Sequence, residues 1–118
     1  MAKIIIVDDS RILRKILNTT LTEAGHEIIG EAGNGAELLK LLETKTPDLI
    51  TLDITMPVMD GIAALKAVKE QYSDVKVIMV SAAGQKSKVM EALKAGASDF
   101  LQKPFEPEDV KRVVSKLV

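Results

Sequence analysis

The chain has 118 residues, and its sixteen basic and seventeen acidic side chains give a net charge of −1. This balance leaves no overall basic surface for DNA or RNA, so nucleic-acid binding is disfavoured. The absence of cysteine excludes disulfides and thiolate chemistry and agrees with a cytoplasmic protein. No apolar run approaches the roughly 20 residues of a membrane span. The composition, 47% hydrophobic and 28% charged, predicts one globular domain over residues 1–118.

The first strand is predicted at 4–7, where four consecutive β-branched residues are typical of a strand buried on both faces. The polar residues directly after it, Asp9 or Ser10, can cap a helix. Apolar residues recur at helical spacing in this segment, and Gly25 ends it. A second strand is predicted at 26–30, followed by a second helix that ends before Pro47.

The second half of the chain repeats this alternation. The third strand is predicted at 49–52, and a loop with Pro57 separates it from a helix that follows Gly61. The fourth and fifth strands are predicted at 75–80 and 98–101, each followed by a further helix. Five strands alternating with five helices predict an α/β fold, in which a parallel sheet is covered by helices on both faces.

Polar side chains follow four of the predicted strands. They are Asp8 and Asp9 after the first, Asp53 after the third, Ser81 after the fourth and Lys103 after the fifth. Ligands of open α/β sheets bind beyond the C-terminal ends of the strands. If the first and third strands are neighbours, each pair of carboxylates at about 4 Å costs on the order of 4 kcal/mol at an effective dielectric constant of about 20. Such a cluster needs a cation, and oxygen ligands alone favour Mg²⁺.

A carboxylate, a magnesium ion, an ammonium group and a hydroxyl at one place are typical of phosphoryl transfer. Asp53 is the predicted nucleophile, because it stands alone on its strand whereas Asp8 and Asp9 can hold the metal. Taken singly, Ser81 could be a helix cap and Lys103 part of a surface turn. Their shared position at the strand ends favours the phosphoryl site over these plainer interpretations.

The whole chain resembles the receiver domain of two-component response regulators. The motifs that carry the resemblance are Asp8-Asp9, Asp53, Met56-Pro57 with Asp60-Gly61, Ser81-Ala82 and Lys103-Pro104-Phe105. They occur in order at the matching strand ends. The resemblance implies a flavodoxin-like, doubly wound fold with strand order 2-1-3-4-5. Within the family, the stretches from Asp53 to Pro57 and from Ser81 to Gln85 look most like stand-alone chemotaxis regulators of the CheY type.

The resemblance also implies the chemistry of the site. Asp53 would accept a phosphoryl group from a histidine kinase. Asp8, Asp9 and Asp53, together with the main-chain carbonyl of Thr55, would hold Mg²⁺. Such a domain phosphorylates and dephosphorylates itself and is a signalling domain rather than a turnover enzyme.

The remaining site residues would couple the phosphoryl group to a conformational switch. Lys103 would contact the phosphoryl group, and its bond to Pro104 is cis in the family. Ser81 would be the switch hydroxyl, where many receivers have Thr. Phe100 would be the coupled aromatic residue, although a plain core position is the alternative. Because Phe100 cannot donate the hydrogen bond that Tyr gives other receivers, its switch must work by packing.

Phosphorylation is expected to shift a two-state equilibrium and change the face formed by segments 85–96, 98–102 and 106–117. A monomer that binds a downstream target, such as a flagellar motor switch component, is the implied arrangement. His26, the single histidine, is expected to be solvated rather than to carry phosphate.

Three alternatives remain open. A Mg²⁺-dependent phosphohydrolase with an aspartyl nucleophile would share the acidic cluster. Such an enzyme uses a second Asp as its acid/base residue, and this chain has Thr55 at that position. A flavin-binding flavodoxin would share the topology, but Asp8 and Asp9 would repel its phosphate. The chain could also be a receiver fragment of a larger transcriptional regulator, or an engineered receiver.

Overall fold

The strands and helices of the chain alternate throughout. The computed structural model describes residues 1–118 and contains one five-stranded parallel sheet. The strands are Lys3–Val7 (β1), Glu27–Ala32 (β2), Leu49–Asp53 (β3), Lys76–Ser81 (β4) and Asp99–Gln102 (β5). The helices are Arg11–Glu23 (α1), Gly35–Leu41 (α2), Gly61–Gln71 (α3), Lys86–Lys94 (α4) and Pro107–Leu117 (α5). None of these helices has the length and apolar character needed to cross a membrane.

The sheet has the order β2-β1-β3-β4-β5, and every neighbouring pair of strands is parallel. The prediction of a flavodoxin-like α/β fold with this order is therefore confirmed. The order reverses between β1 and β3, which makes their C-terminal ends the topological switch point. Any chemistry carried by the residues that follow these two strands is thus brought to one edge of the sheet.

Alternating side chains divide the core into two parts, one on each face of the sheet. Ile4 and Ile6 pack under α1 and α5, whereas Ile5 and Val7 pack under α2, α3 and α4. Burial on both faces explains why the central strands are continuous apolar runs instead of alternating ones. The two cores hold β1 and β3 rigidly and so fix the edge that follows them.

Strand boundaries differ from the predicted ones by one or two residues, and the differences follow the backbone pairing. The second strand extends to Ala32, because it pairs with β1 as far as Val7. Asp53 and Ser81 were expected just after their strands but are the last residues of β3 and β4. Their backbone geometry is therefore fixed by the sheet rather than by a loop.

The capping residue of α1 is Ser10, whose Oγ accepts a hydrogen bond of 3.2 Å from the Leu13 amide. Of the two caps that the sequence left open, Ser10 is thus the one used. The Ser10 amide in turn donates to Asp8 Oδ1 at 2.8 Å. The Asp9 side chain takes no part in the cap and stays exposed at the edge of the sheet.

His26, which was expected to be solvated, is only partly so. Its side chain is partly buried, and Nδ1 accepts a hydrogen bond of 3.0 Å from the Ala2 amide. Burial lowers the pKa of His26, and the positive N-terminus lowers it further. The contact arises because β2 begins beside the start of β1, a long-range pairing that no local sequence pattern reveals.

Candidate functional site

Three carboxylates meet where β1 and β3 end. Val7 and Leu52 are paired across these strands, so Asp8 and Asp53 follow side by side. One oxygen from each of Asp8, Asp9 and Asp53 lies within 4.8 Å of the others. Asp8 and Asp53 are only 1% and 5% exposed, whereas Asp9 stands at the open mouth of the site. The structure thus brings the three predicted carboxylates together.

Lys103 supplies a cationic group to this cluster. Its Nζ lies 3.3 Å from Asp8 Oδ2 and 3.5 Å from Asp53 Oδ2. The Lys103 amide donates to the Ser81 carbonyl at 2.7 Å, which ties the segment after β5 to the end of β4. The peptide bond between Lys103 and Pro104 is cis, as the resemblance implied. One ammonium group therefore faces two buried carboxylates.

The electrostatics of the site are centred on Asp53. Burial, together with repulsion from Asp8, raises the pKa of Asp53 to about 6. Lys103, whose Nζ lies 3.5 Å from Asp53 Oδ2, opposes both effects through its positive charge. A single ammonium group is thus not enough to keep the Asp53 carboxyl in its ordinary charged range.

The donor set of the site fits a hard cation. Asp8 Oδ2 is buried and accepts no hydrogen bond, although Asp8 Oδ1 is bound to the Ser10 amide. The main-chain carbonyl of Thr55, two residues after Asp53, also accepts no hydrogen bond within the chain. All of these groups offer oxygen atoms, which are the ligands that Mg²⁺ prefers. An additional cation would coordinate Asp8 Oδ2, whose charged neighbour is Lys103 Nζ at 3.3 Å, and would reduce the repulsion at Asp53.

Ser81 is buried at the end of β4, and its Oγ donates to the Leu101 carbonyl at 3.4 Å. The hydroxyl is therefore turned towards β5. Phe100 is 40% exposed, so the plain core position that was its alternative does not apply. Both side chains line one groove of about 300 Å³ between α4 and β5. This groove offers the Phe100 ring space into which it can move.

Two residues near the site could not be identified by sequence pattern alone. Arg14 Nη1 donates to the main-chain carbonyl of Asp8 at 2.6 Å, and Arg14 Nε bonds Glu31 of β2 at 3.1 Å. Gln85 contacts the loops after β3 and β4 through its side-chain amide. The one signal for Arg14 is its position one helical turn after the Ser10 cap, which directs it back to the end of β1.

The presence of glycine at position 61 has a steric reason that the Asp60-Gly61 motif did not explain. A Cβ atom at this position would lie 2.0 Å from the Asp53 carbonyl oxygen. The Gly61 amide also donates to the Ile54 carbonyl at 2.7 Å. The first residue of α3 is therefore pressed against the end of β3, and it helps to set the position of the Asp53 backbone.

Known proteins share this arrangement along nearly the whole chain. A sequence profile of the response regulator receiver domain matches residues 4–115. The chemotaxis protein CheY of Bacillus subtilis is 44% identical over 114 residues, which are 97% of this chain and 95% of that protein. CheY of Thermotoga maritima is 44% identical over 115 residues, which are 98% of this chain and 96% of that protein.

A solved structure agrees with these sequence relatives. The receiver domain of NtrX from Brucella abortus has a TM-score of 0.91 and 30% sequence identity, and the similarity covers 97% of this chain and 96% of that one. Fold, acidic edge and sequence thus lead to the same assignment, and the chain belongs to the response regulator receiver domain family.

Proposed function

We propose that the protein is a phosphorylation-controlled signalling switch, in which Asp53 accepts a phosphoryl group from a histidine kinase. The observation that carries the proposal is the meeting of three carboxylates and the Lys103 ammonium group at the switch point of the sheet. Asp53 is the acceptor because it alone of the three carboxylates lies within a strand, and like Asp8 it is in contact with Lys103. Asp8 and Asp9 then serve to hold the metal.

The transfer needs little beyond correct positioning. An Asp53 oxygen attacks the phosphorus atom, and a new O–P bond forms while the bond from phosphorus to the imidazole nitrogen of the kinase breaks. Lys103 offsets negative charge on the phosphoryl oxygens. Asp8, Asp9, Asp53 and the Thr55 carbonyl would hold Mg²⁺, which supplies further neutralisation of the phosphoryl charge when it is bound.

Ser81 and Phe100 then respond to the negative charge of the phosphoryl group. The Ser81 hydroxyl leaves its long bond to the Leu101 carbonyl and donates to a phosphoryl oxygen instead. Its movement opens space within the groove between α4 and β5, and the half-exposed Phe100 ring packs into that space. The result is a population shift that changes the face formed by α4, β5 and α5.

The partner chemistry follows from this switch. A cytoplasmic histidine kinase would supply the phosphoryl group, and the altered face would bind a downstream protein, without nucleic acid. Similarity to the CheY proteins supports a pathway in chemotaxis, with a flagellar motor switch component as the target. A monomer spanning residues 1–118 is sufficient for this work, because each group named above belongs to one chain.

The acceptor can be tested by intact-mass measurement after incubation with acetyl phosphate. With Mg²⁺ present, we expect the mass to increase by one phosphoryl group and peptide mapping to locate it on Asp53. Asp53→Asn should abolish the increase, because an amide oxygen is a poor nucleophile. Removing Mg²⁺ with a chelator should reduce labelling of the wild type to a low level.

Asp74→Asn is the matched control, since Asp74 is an exposed carboxylate in the turn before β4 and should label like the wild type. Unchanged labelling of Asp53→Asn would refute the proposal. Repeated turnover of phosphate monoesters by the wild type would instead favour the phosphohydrolase.

A further inference from the structure

The Gln85 side chain joins the two loops that flank the acidic site. Gln85 Nε2 donates to Thr55 Oγ1 at 2.7 Å, and Gln85 Oε1 accepts from the Ala82 amide at 2.7 Å. Thr55 lies two residues after Asp53, and Ala82 directly follows Ser81. One amide group therefore links the loop of the acceptor to the loop of the switch hydroxyl.

Gln85 makes these contacts instead of capping a helix. It is the N-cap residue of α4, yet its side chain makes no capping hydrogen bond. The other N-cap side chains of α1, α2 and α3 all cap their own helices. Gly84 allows the different arrangement, because its φ of +84° turns the chain immediately before Gln85. The polar groups of Gln85 are thus committed to the two loops.

The link lies next to Ser81 along the chain. Ser81 Oγ faces the Leu101 carbonyl in β5, and the next peptide group carries the Ala82 amide that Gln85 holds. In the proposed switch, Ser81 turns to a group on Asp53 and the peptide directly after it, which carries the Ala82 amide, moves with it. That movement takes the Ala82 amide away from Gln85 Oε1. The hydrogen bond is consequently present in the resting conformation and lost in the switched one.

We propose that Gln85 is a positioning residue that stabilises the resting loop after β4 and thereby opposes phosphorylation of Asp53. This inference rests on the proposed function of the site. Gln85 would touch neither the phosphoryl group nor the metal and would act through Ala82 and Ser81 on one side and through the Thr55 hydroxyl on the other. Loss of one neutral, partly exposed hydrogen bond corresponds to a change in the equilibrium of about two- to tenfold.

Gln85→Met tests the proposal, because it retains the length of the side chain and removes both hydrogen bonds. The matched control is Gln71→Met, since Gln71 is an exposed glutamine at the end of α3 whose side chain makes no hydrogen bond. Two measurements on the full chain are combined. Nuclear magnetic resonance gives the solvent exchange rate of the Ala82 amide without metal. Titration with beryllofluoride and Mg²⁺ gives the affinity for a tetrahedral phosphoryl mimic.

We expect Gln85→Met to raise the Ala82 exchange rate and to tighten beryllofluoride binding, each by about two- to tenfold. Gln71→Met should match the wild type in both the Ala82 exchange rate and the beryllofluoride affinity. A beryllofluoride affinity in Gln85→Met that is unchanged or weaker overturns the proposal, whatever the exchange rate does. If the wild type itself binds no beryllofluoride, the proposed function of the site fails. If the wild type binds it and Gln85→Met does not bind it more tightly, only the proposed role of Gln85 fails.

Discussion

Asp53 combines the properties that a buried acceptor needs, at a cost in stability. Its carboxyl is 5% exposed and stands beside Asp8, and Lys103 neutralises the pair only in part. The chain therefore retains a strained electrostatic arrangement at one residue. Buried groups of this kind are common at functional sites, because the same surroundings that destabilise the free protein favour a bound cation.

The pKa of Asp53 gives a prediction for stability against pH. In the metal-free protein, the folded state holds the Asp53 proton up to about pH 6, whereas the ordinary value of 3.8 applies once the chain unfolds. The folded state thus binds more protons than the unfolded state between these values, and the free energy of unfolding falls as pH rises through this range. The loss is on the order of 3 kcal/mol and is complete above about pH 6.

Asp53→Asn carries no such charge, so we expect it to be more stable than the wild type at about pH 8 with a chelator present. The difference should shrink towards zero as the pH falls to about 4 and below, because both side chains are then neutral in the folded state. Urea denaturation at several pH values measures it. If the free energy of unfolding of Asp53→Asn exceeds that of the wild type by the same amount at every pH, the electrostatic explanation is contradicted.

At the scale of single elements, α1 positions the metal ligands as well as covering the sheet. Arg14 spans from the carbonyl of Asp8 to the carboxylate of Glu31, and Asn18 also donates to Glu31, at 2.9 Å. These contacts fasten the loop after β1 to both α1 and β2. The direction of the Asp8 side chain is thereby controlled from outside the site.

Arg14→Met should weaken Mg²⁺ binding by roughly threefold to tenfold, because it frees the Asp8 carbonyl while it retains the apolar part of the side chain. Isothermal titration with Mg²⁺ measures the effect. Lys15→Met removes a neighbouring exposed charge from the same helix and is the control. Because the loss of a positive charge by itself favours binding of a cation, a Mg²⁺ affinity of Arg14→Met that is no weaker than that of Lys15→Met would contradict the role of the Asp8 contact.

The start of α3 gives a second prediction at this scale. Gly61→Ala should lower the free energy of unfolding by about 2 kcal/mol or more, because its Cβ would collide with the backbone of Asp53 and neither backbone can move freely. Gly33→Ala is the matched control, since the atom nearest to a Cβ at this position, Glu37 Oε1, would lie 3.4 Å from it. Chemical denaturation of both variants decides whether the close approach at Gly61 is required.

For the whole molecule, the sequence predicts the architecture well because the central strands are buried on both faces. Their continuous apolar runs, separated by amphipathic segments, indicate both the parallel sheet and the strand ends where Asp8, Asp53 and Lys103 lie. The convergence of these residues needs one further condition, which is that β1 and β3 are neighbours. The resemblance to receivers supplied that condition, and local pattern alone did not.

What the sequence could not predict depends on contacts between distant segments. Ile12 belongs to the apolar pattern of α1, but it is 74% exposed, because periodicity does not tell which apolar residues the sheet covers. The hydrogen bond of His26 could not be predicted because its partner, the Ala2 amide, is distant in the sequence. Gln85 reaches Thr55 across thirty positions of sequence, and a glutamine in a loop carries no signal of such a contact.

The parallel sheet also separates the molecule into two ends of unlike character. Every strand runs towards the acidic edge, so the turn that holds Asp74 lies at the opposite edge, about 20 Å away along β4. The chain has no thiol of its own, and Asp74→Cys would create a single attachment point there. A fluorophore coupled to that thiol would let diffusion and partner encounters of the intact protein be followed by light, while the reacting edge stays untouched.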